Sequence, residues 1–311
     1  MGQFSVRLIV AEPDHLGDCP TWNDSVQRLL WIDIIGKRMS SCAPDGTALA
    51  RQPLPETPGS FALRAGGGML MAFRRRLALF DPTGAEIASF VPGAADMNRE
   101  RFNDGACDGK GRLWIGTMDR FLREPVGALY RIDPDLSTHR MDFGLGVSNG
   151  IAWSPRSDRL YHCDSKFPRI YAHDFDLEAG SITNRRIFVE FGDRMGVPDG
   201  CAVDIEGFLW VAAPGAGAIF GFDPRGRLAK KIETPVFWPS SVVFGGADLR
   251  TMFVTSLVPR EESTVQGSRH QEPRDRHAGN GGGFGAAPPA DGSVFAVECD
   301  VPGTQCWKFG G

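Results

Sequence analysis

Six polar residues recur at one phase of this chain: Asp18, Ser60, Asn103, Asn149, Asp199 and Ser240. Each stands 10 to 12 positions ahead of an apolar marker, at Leu30, Leu70, Leu113, Leu160, Leu209 and Met252. Two of the six are carboxylates and two are carboxamides. Such hard oxygen donors suit Ca²⁺, Mg²⁺ or Mn²⁺ and are tolerated by Zn²⁺. Two carboxylates brought to one point repel unless a cation or a shared proton relieves them. Taken singly, each Asp or Asn reads as a turn residue ahead of Gly105, Gly150 or Gly200. The set points to a divalent cation.

The markers show what must position these residues. Each is followed by an aromatic or Met: Leu30-Trp31, Leu70-Met71, Leu113-Trp114, Leu160-Tyr161, Leu209-Trp210 and Met252-Phe253. Successive markers are 40, 43, 47, 49 and 43 residues apart. Short alternating strands and turn signals at that period are the signature of propeller blades. In Val197–Ala213, a strand, a Glu206-Gly207 turn and a second strand follow Asp199 directly. Return strands end in Asp81-Pro82, Asp133-Pro134 and Asp223-Pro224. Val6–Val10 reads as a further strand. The expected fold is therefore all-β, a six-bladed β-propeller with residues 1–311 in one domain and a metal site at its centre. Residues at equivalent phase would then converge on the axis.

Blade six departs from the pattern. Met252 and Phe295 are 43 residues apart, where earlier blades need 9 to 17 between corresponding positions. The excess, 259–292, is rich in charge and Gly and cannot bury enough apolar surface to offset its ordering entropy. It reads as a flexible surface insertion.

Composition sets further limits. The 39 Gly and 22 Pro suit a turn-rich chain, and 42% apolar residues suffice for a core. With 34 basic and 38 acidic residues the net charge is −4, which favours neither a nucleic-acid nor an anionic-membrane partner. The longest apolar run, Leu29–Ile35, is interrupted by Asp33 and is too short to span a bilayer. The first residues lack the order of a signal peptide. Seven scattered cysteines form no disulfide framework, which points to a cytoplasmic setting. His15, His162 and His173 show no metal-ligand spacing, and no Gly-x-Ser-x-Gly elbow is present. Cys19 and Cys201 read as buried small residues.

Several motifs carry a resemblance: Asp18-Cys-Pro-Thr-Trp22, Arg101-Phe-Asn-Asp-Gly105, Gly116-Thr-Met118, Ser148-Asn-Gly150, Asp164-Ser165, Pro198-Asp-Gly200 and Phe244-Gly-Gly246. In this order, from about Leu16 to Val297, they resemble the gluconolactonase, regucalcin (senescence marker protein) and luciferin-regenerating enzyme family. The resemblance implies a six-bladed propeller with one divalent cation, Ca²⁺ first and Zn²⁺, Mg²⁺ or Mn²⁺ as alternatives. It places the metal ligands on Asp18, Asn149 and Asp199, and substrate contacts on Arg101 and Asn103.

Two departures from the family pattern stand at the site. Asp18 replaces the usual Glu ligand, with one methylene less of reach. Phe121 stands where some sugar-lactone members carry Glu. Its ring cannot accept a hydrogen bond from a sugar hydroxyl, which favours a less polar lactone. The expected activity is metal-dependent lactone hydrolysis of a small molecule, with Asp199 holding or deprotonating the attacking water. The alternatives are isomerisation, cyclisation or hydration of a secondary metabolite at the same site, or metal binding without turnover.

Overall fold

The computed structural model describes residues 4–259 and 291–311, where every regular element is a strand. The strands form six four-stranded antiparallel sheets. Their innermost strands are Gly17–Asn23, Pro58–Leu63, Glu100–Cys107, Ser148–Trp153, Cys201–Val203 and Pro239–Gly245. Each touches the next in chain order, and the sixth touches the first, which closes a six-bladed propeller.

Burial falls from the middle of each blade outwards, and the sequence falls with it. Marker strands such as Leu209–Ala213 are buried throughout and read as unbroken apolar runs. Outer strands such as Ala50–Pro53 are exposed along most of their length and read as polar. Each gap between neighbouring blades holds its own apolar cluster. The gap between blades three and four, for example, is filled by Trp114, Leu129, Ile151, Leu160 and Tyr171.

Turn chemistry ties the two inner strands of a blade together. In blade three, Asp108 Oδ2 accepts from Trp114 Nε1 at 2.8 Å while Oδ1 accepts the backbone N–H of Lys110 at 2.9 Å. Asp204 does the same in blade five, with Trp210 Nε1 at 2.9 Å and the N–H of Glu206 at 3.0 Å. Gly111 and Gly207 supply the left-handed backbone these turns need, at φ +75° and +86°.

Blade six is built from both ends of the chain. Pro239–Gly245, Thr251–Ser256 and Val294–Glu298 are joined by Val6–Val10, which pairs antiparallel with Val294–Glu298. Met252 faces Val297 and Val254 faces Phe295, so the long spacing in blade six does connect neighbouring strands. The insertion expected at 259–292 lies, apart from its ends, outside the described residues.

The C-terminal segment crosses the end of the channel where the innermost strands finish. Thr304 N–H donates to Val203 O at 2.9 Å, Gly303 N–H to Leu249 O at 2.8 Å and Phe309 N–H to Leu63 O at 2.7 Å. Blades two, five and six are thereby joined at that end. No described helix is long and apolar enough to cross a membrane.

Candidate active site

The six residues of the polar ring all lie on or just ahead of the innermost strands. Five of them sit inside those strands rather than before them, because the ladder is bulged there. The register slips between Asp18 and Thr21, Pro58 and Ser60, Phe102 and Gly105, Asn149 and Ile151, and Pro239 and Ser241. A bulge re-aims a side chain that would otherwise stand perpendicular to the sheet. Asp199 alone precedes its strand, held by the bond from its N–H to Ala212 O at 3.0 Å.

The glycine that follows a ring residue has a different role from the one its sequence suggests. Gly105, Gly150 and Gly200 are not in the left-handed region. A Cβ on Gly150 would lie 2.4 Å from Asp199 O and 2.9 Å from the sulfurs of Cys163 and Cys201. A Cβ on Gly200 would lie 1.9 Å from Ser241 Oγ. Here glycine permits neighbouring innermost strands to approach, so the ring residues are not turn caps.

Hydrogen bonds fix the amides. Asn103 Nδ2 donates to Ser148 O at 2.8 Å and to Asn149 Oδ1, and Asn103 Oδ1 accepts from Arg101 Nη1 at 2.9 Å. Asn149 Nδ2 donates to Ser165 Oγ at 2.7 Å, and Ser165 in turn donates to Pro198 O at 2.6 Å. The chain from Asn103 through Ser165 thus reaches the residue before Asp199. Asn149 Oδ1 keeps a second lone pair free for another partner.

Charge at the axis is unrelieved. Burial and the neighbouring Asp104 push the Asp18 carboxyl up to about 8. Asp199 is raised well above the usual carboxylate range by burial, Asp18 and Asp104. Burial also raises Asp104. Buried acids crowded so that Asp104 raises Asp18 and both raise Asp199 form a centre that favours a cation. Together with the amide oxygens they make a hard, all-oxygen donor set, which fits Ca²⁺ or Mg²⁺ chemistry. Asp104 was not singled out from the sequence, although it lies inside the Arg101–Gly105 motif.

Residues 16–258 match the family model described as an SMP-30/gluconolactonase/LRE-like region. The chain belongs to this family. A 6-deoxy-6-sulfogluconolactonase of Pseudomonas putida is 33% identical over 308 residues, covering 99% of each chain. Regucalcin of Xenopus laevis is 30% identical over 82% of this chain and 88% of its own length. A solved luciferin-regenerating enzyme superposes with a TM-score of 0.84 at 24% identity, over 99% of both chains.

Two further features of this family member differ from what its sequence suggests. Phe121 is not an apolar wall. It is 58% exposed, with the guanidinium carbons of Arg120 and Arg123 at 4.8 and 5.4 Å from its ring centroid. The ring is a platform for cations. It lines a pocket of about 280 Å³ together with Arg74, Arg75, Arg101 and Arg120.

The second correction concerns His162 and His173. They lack a ligand spacing along the chain, yet they meet in space with Asp142, a nitrogen or oxygen of each lying within 4.8 Å of the others. His162 pairs with Tyr171 across the hairpin, two residues before His173, so both imidazoles share one face of blade four. Asp142 comes from the outer strand of blade three, Thr138–Leu145. Among the described residues His162 Nδ1, His173 Nε2 and Asp142 Oδ2 have no hydrogen-bond partner, so this group also offers donors to an ion.

Proposed function

We propose that this chain hydrolyses a lactone with the aid of one divalent cation held by Asp18, Asn149 and Asp199. The observation that carries the reading is the grouping of the buried carboxylates Asp18, Asp104 and Asp199, near enough that Asp104 raises Asp18 and both raise Asp199, beside two oriented carboxamides. Membership of the gluconolactonase-like family and the name of the Pseudomonas putida relative support lactone chemistry.

When bound, the cation supplies Lewis-acid polarisation of the lactone carbonyl and a lowered pKa for a nearby water. Asp199 accepts the proton of the attacking water, since its backbone is fixed by the bond to Ala212 O. Arg101 orients the lactone through the guanidinium hydrogens that Asn103 and Phe102 O do not use. Asn103 holds Arg101 and Asn149 in register, because its amide bonds to both. Ser165 fixes Asn149 and the Pro198–Asp199 segment relative to each other.

The test uses the purified chain, stripped of metal and reloaded in turn with Ca²⁺, Zn²⁺, Mg²⁺ and Mn²⁺. Proton release from a panel of five- and six-membered lactones is then followed. Metal-dependent hydrolysis of at least one lactone is the expected result. No turnover with any ion would sink the reading.

A further inference from the structure

The rim of the axial site carries an excess of positive charge that no carboxylate among the described residues pairs. Several arginines elsewhere are paired, Arg76 with Glu56 and Glu86, Arg112 with Asp108 and Arg131 with Asp133, while others such as Arg28 and Arg140 stand singly without a carboxylate partner among the described residues. Among the described residues, no carboxylate oxygen lies within 4.0 Å of Arg74, Arg75, Arg99, Arg101, Arg120 or Arg123. The chain as a whole has a net charge of −4, so this is a local concentration of charge rather than a basic protein.

The acids that could have neutralised these arginines are engaged elsewhere. Glu100 lines the pocket, but its carboxylate accepts from Thr117 Oγ1 and from Asp96 N–H. Asp119 accepts the backbone N–H groups of Phe121, Arg123 and Glu124 at 2.9, 3.0 and 2.8 Å. The arginines are also held in place. Arg75 Nη2 donates to Asn98 Oδ1 at 3.1 Å, Arg120 Nη1 donates to Asn98 O at 3.4 Å, and the Arg120 guanidinium lies over Phe121. One asparagine thus tethers two guanidinium groups at the same pocket.

The axial carboxylates do not account for the cluster. Among the described residues no oxygen of Asp18, Asp104 or Asp199 lies within 4.0 Å of these guanidinium groups, and Arg101 donates instead to Asn103 Oδ1 at 2.9 Å. Arg101 therefore links the reaction centre to the pocket of about 280 Å³ beside it. Guanidinium groups with free N–H donors recognise tetrahedral or planar oxyanions through paired, charge-assisted hydrogen bonds.

We propose that the pocket formed by Arg74, Arg75, Arg101, Arg120 and Phe121 is a subsite for an anionic substituent of the substrate, a sulfonate, phosphate or carboxylate carried on the lactone. This rests on the lactone reading for the identity of the rest of the molecule, but not for the existence of the anion site. The selected lactone is then charged rather than less polar than a sugar.

The experiment has two arms on the full chain loaded with Mg²⁺. In the first, binding of inorganic sulfate is measured by calorimetry for the parent, for Arg75→Gln/Arg120→Gln and for Arg156→Gln. Arg156 is an exposed arginine on the turn after Ser148–Trp153, paired with Asp158, and serves as control. Sulfate affinity is expected to fall about tenfold or more in the double variant and to hold in the control. In the second arm, a neutral aldonolactone is compared with its sulfonated, phosphorylated and carboxylated forms. The parent should prefer one charged form, which identifies the anion, and the double variant should lose about tenfold of that preference through KM. Sulfate binding that is equal in the parent and the double variant overturns the subsite, as does a parent that turns over the neutral lactone best. If sulfate binding falls as expected but no lactone is hydrolysed, the subsite stands and the lactone reading fails.

Discussion

Two buried clusters in this propeller offer ligand-type atoms, and they differ in what burial does to them. At the axis, Asp18, Asp104 and Asp199 are acids, and burial raises all three towards their protonated forms. Between blades three and four, burial pushes His162 down to about 3 and His173 down to about 4, so both imidazoles are neutral. An uncharged imidazole needs no counter-charge. His162 satisfies one nitrogen on Ser148 Oγ at 2.6 Å, and Asp142 already pairs with Arg185 at 3.0 Å. A carboxylate triad without a cation can relieve its repulsion only by taking up protons. The same low dielectric therefore favours a cation at the axis and leaves the two imidazoles uncharged. Among the described residues only the histidine cluster brings three imidazole, thiol or carboxylate ligand atoms within 4.8 Å of one another, so proximity alone points to the imidazoles and the charge argument points to the axis.

The largest effect should come from breaking the axis. Asp199→Ala removes a buried carboxyl that is both the proposed metal ligand and the proposed proton acceptor. A loss of kcat of about 10³-fold or more, with metal affinity falling in parallel, is expected in a lactone assay paired with calcium titration. Asp199→Ala with parental turnover would move the chemistry away from the axis. His162→Gln should bind calcium with the parental stoichiometry. Loss of calcium from His162→Gln instead would make the imidazoles the metal centre.

The two clusters should also oppose each other in pH. Asp18 ionises near 8 when folded and near its ordinary 3.8 when unfolded, so the folded state holds the extra proton in that window. Stability of the metal-free protein therefore falls as pH rises. Between pH 7.5 and 8.5, where these histidines are neutral in both states, its Tm should drop by about 2 °C. Saturating Ca²⁺ should flatten that slope. His162 runs the other way: it titrates near 3 folded and 6.5 unfolded, so stability is lost as pH falls below 6.5. His162→Gln should lose less Tm than the parent between pH 6.5 and 4.5, by a few degrees. Parallel melting curves for the two proteins would show that His162 is not held neutral by the fold.

Much of this was legible in the chain because it repeats. The markers from Leu30 to Met252 recur at nearly one interval, and the ring residues keep their offset because every blade uses the same bulged innermost strand. What did not repeat was harder to see. Val6–Val10 is an ordinary strand in sequence, and only ring closure makes it the fourth strand of blade six. Asp104 stands one residue beyond the ring phase and reaches the axis because its strand is bulged between Phe102 and Gly105. His162 and His173 are 11 residues apart, a spacing that means nothing until the hairpin register is known. Phe121 looks like an apolar substitution until Arg120 and Arg123 are found over its ring.

The smallest and most pointed test is Asp18→Glu, which restores the residue that the family motif carries. The sequence suggests that Gly17 lets the backbone move inward and compensate for the shorter side chain. The displacement arises two residues later. Cys19 has φ +50°, and Cys19 and Pro20 oppose the single Trp31 where the register slips between Asp18 and Thr21, so one extra residue pushes the strand out of its ladder. Gly17 is instead packed against blade six, where a Cβ would lie 3.0 Å from Ser256 O and where Ser240 Oγ donates to its carbonyl. The bulge also fixes the carboxylate, since Asp18 Oδ1 accepts the Cys19 N–H at 2.7 Å and leaves Oδ2 for a cation. Cys19 cannot retreat, because its sulfur is wedged 3.4 Å from Asp104 Oδ1 and 3.5 Å from Ser60 Oγ. A glutamate at position 18 would have to give up the Cys19 bond or crowd the ion by the length of one methylene. Calcium affinity should therefore fall about threefold to tenfold, while the fold is retained. Calcium binding tighter than in the parent would mean that the shorter acid falls short of the ion and that the bulge does not compensate for it.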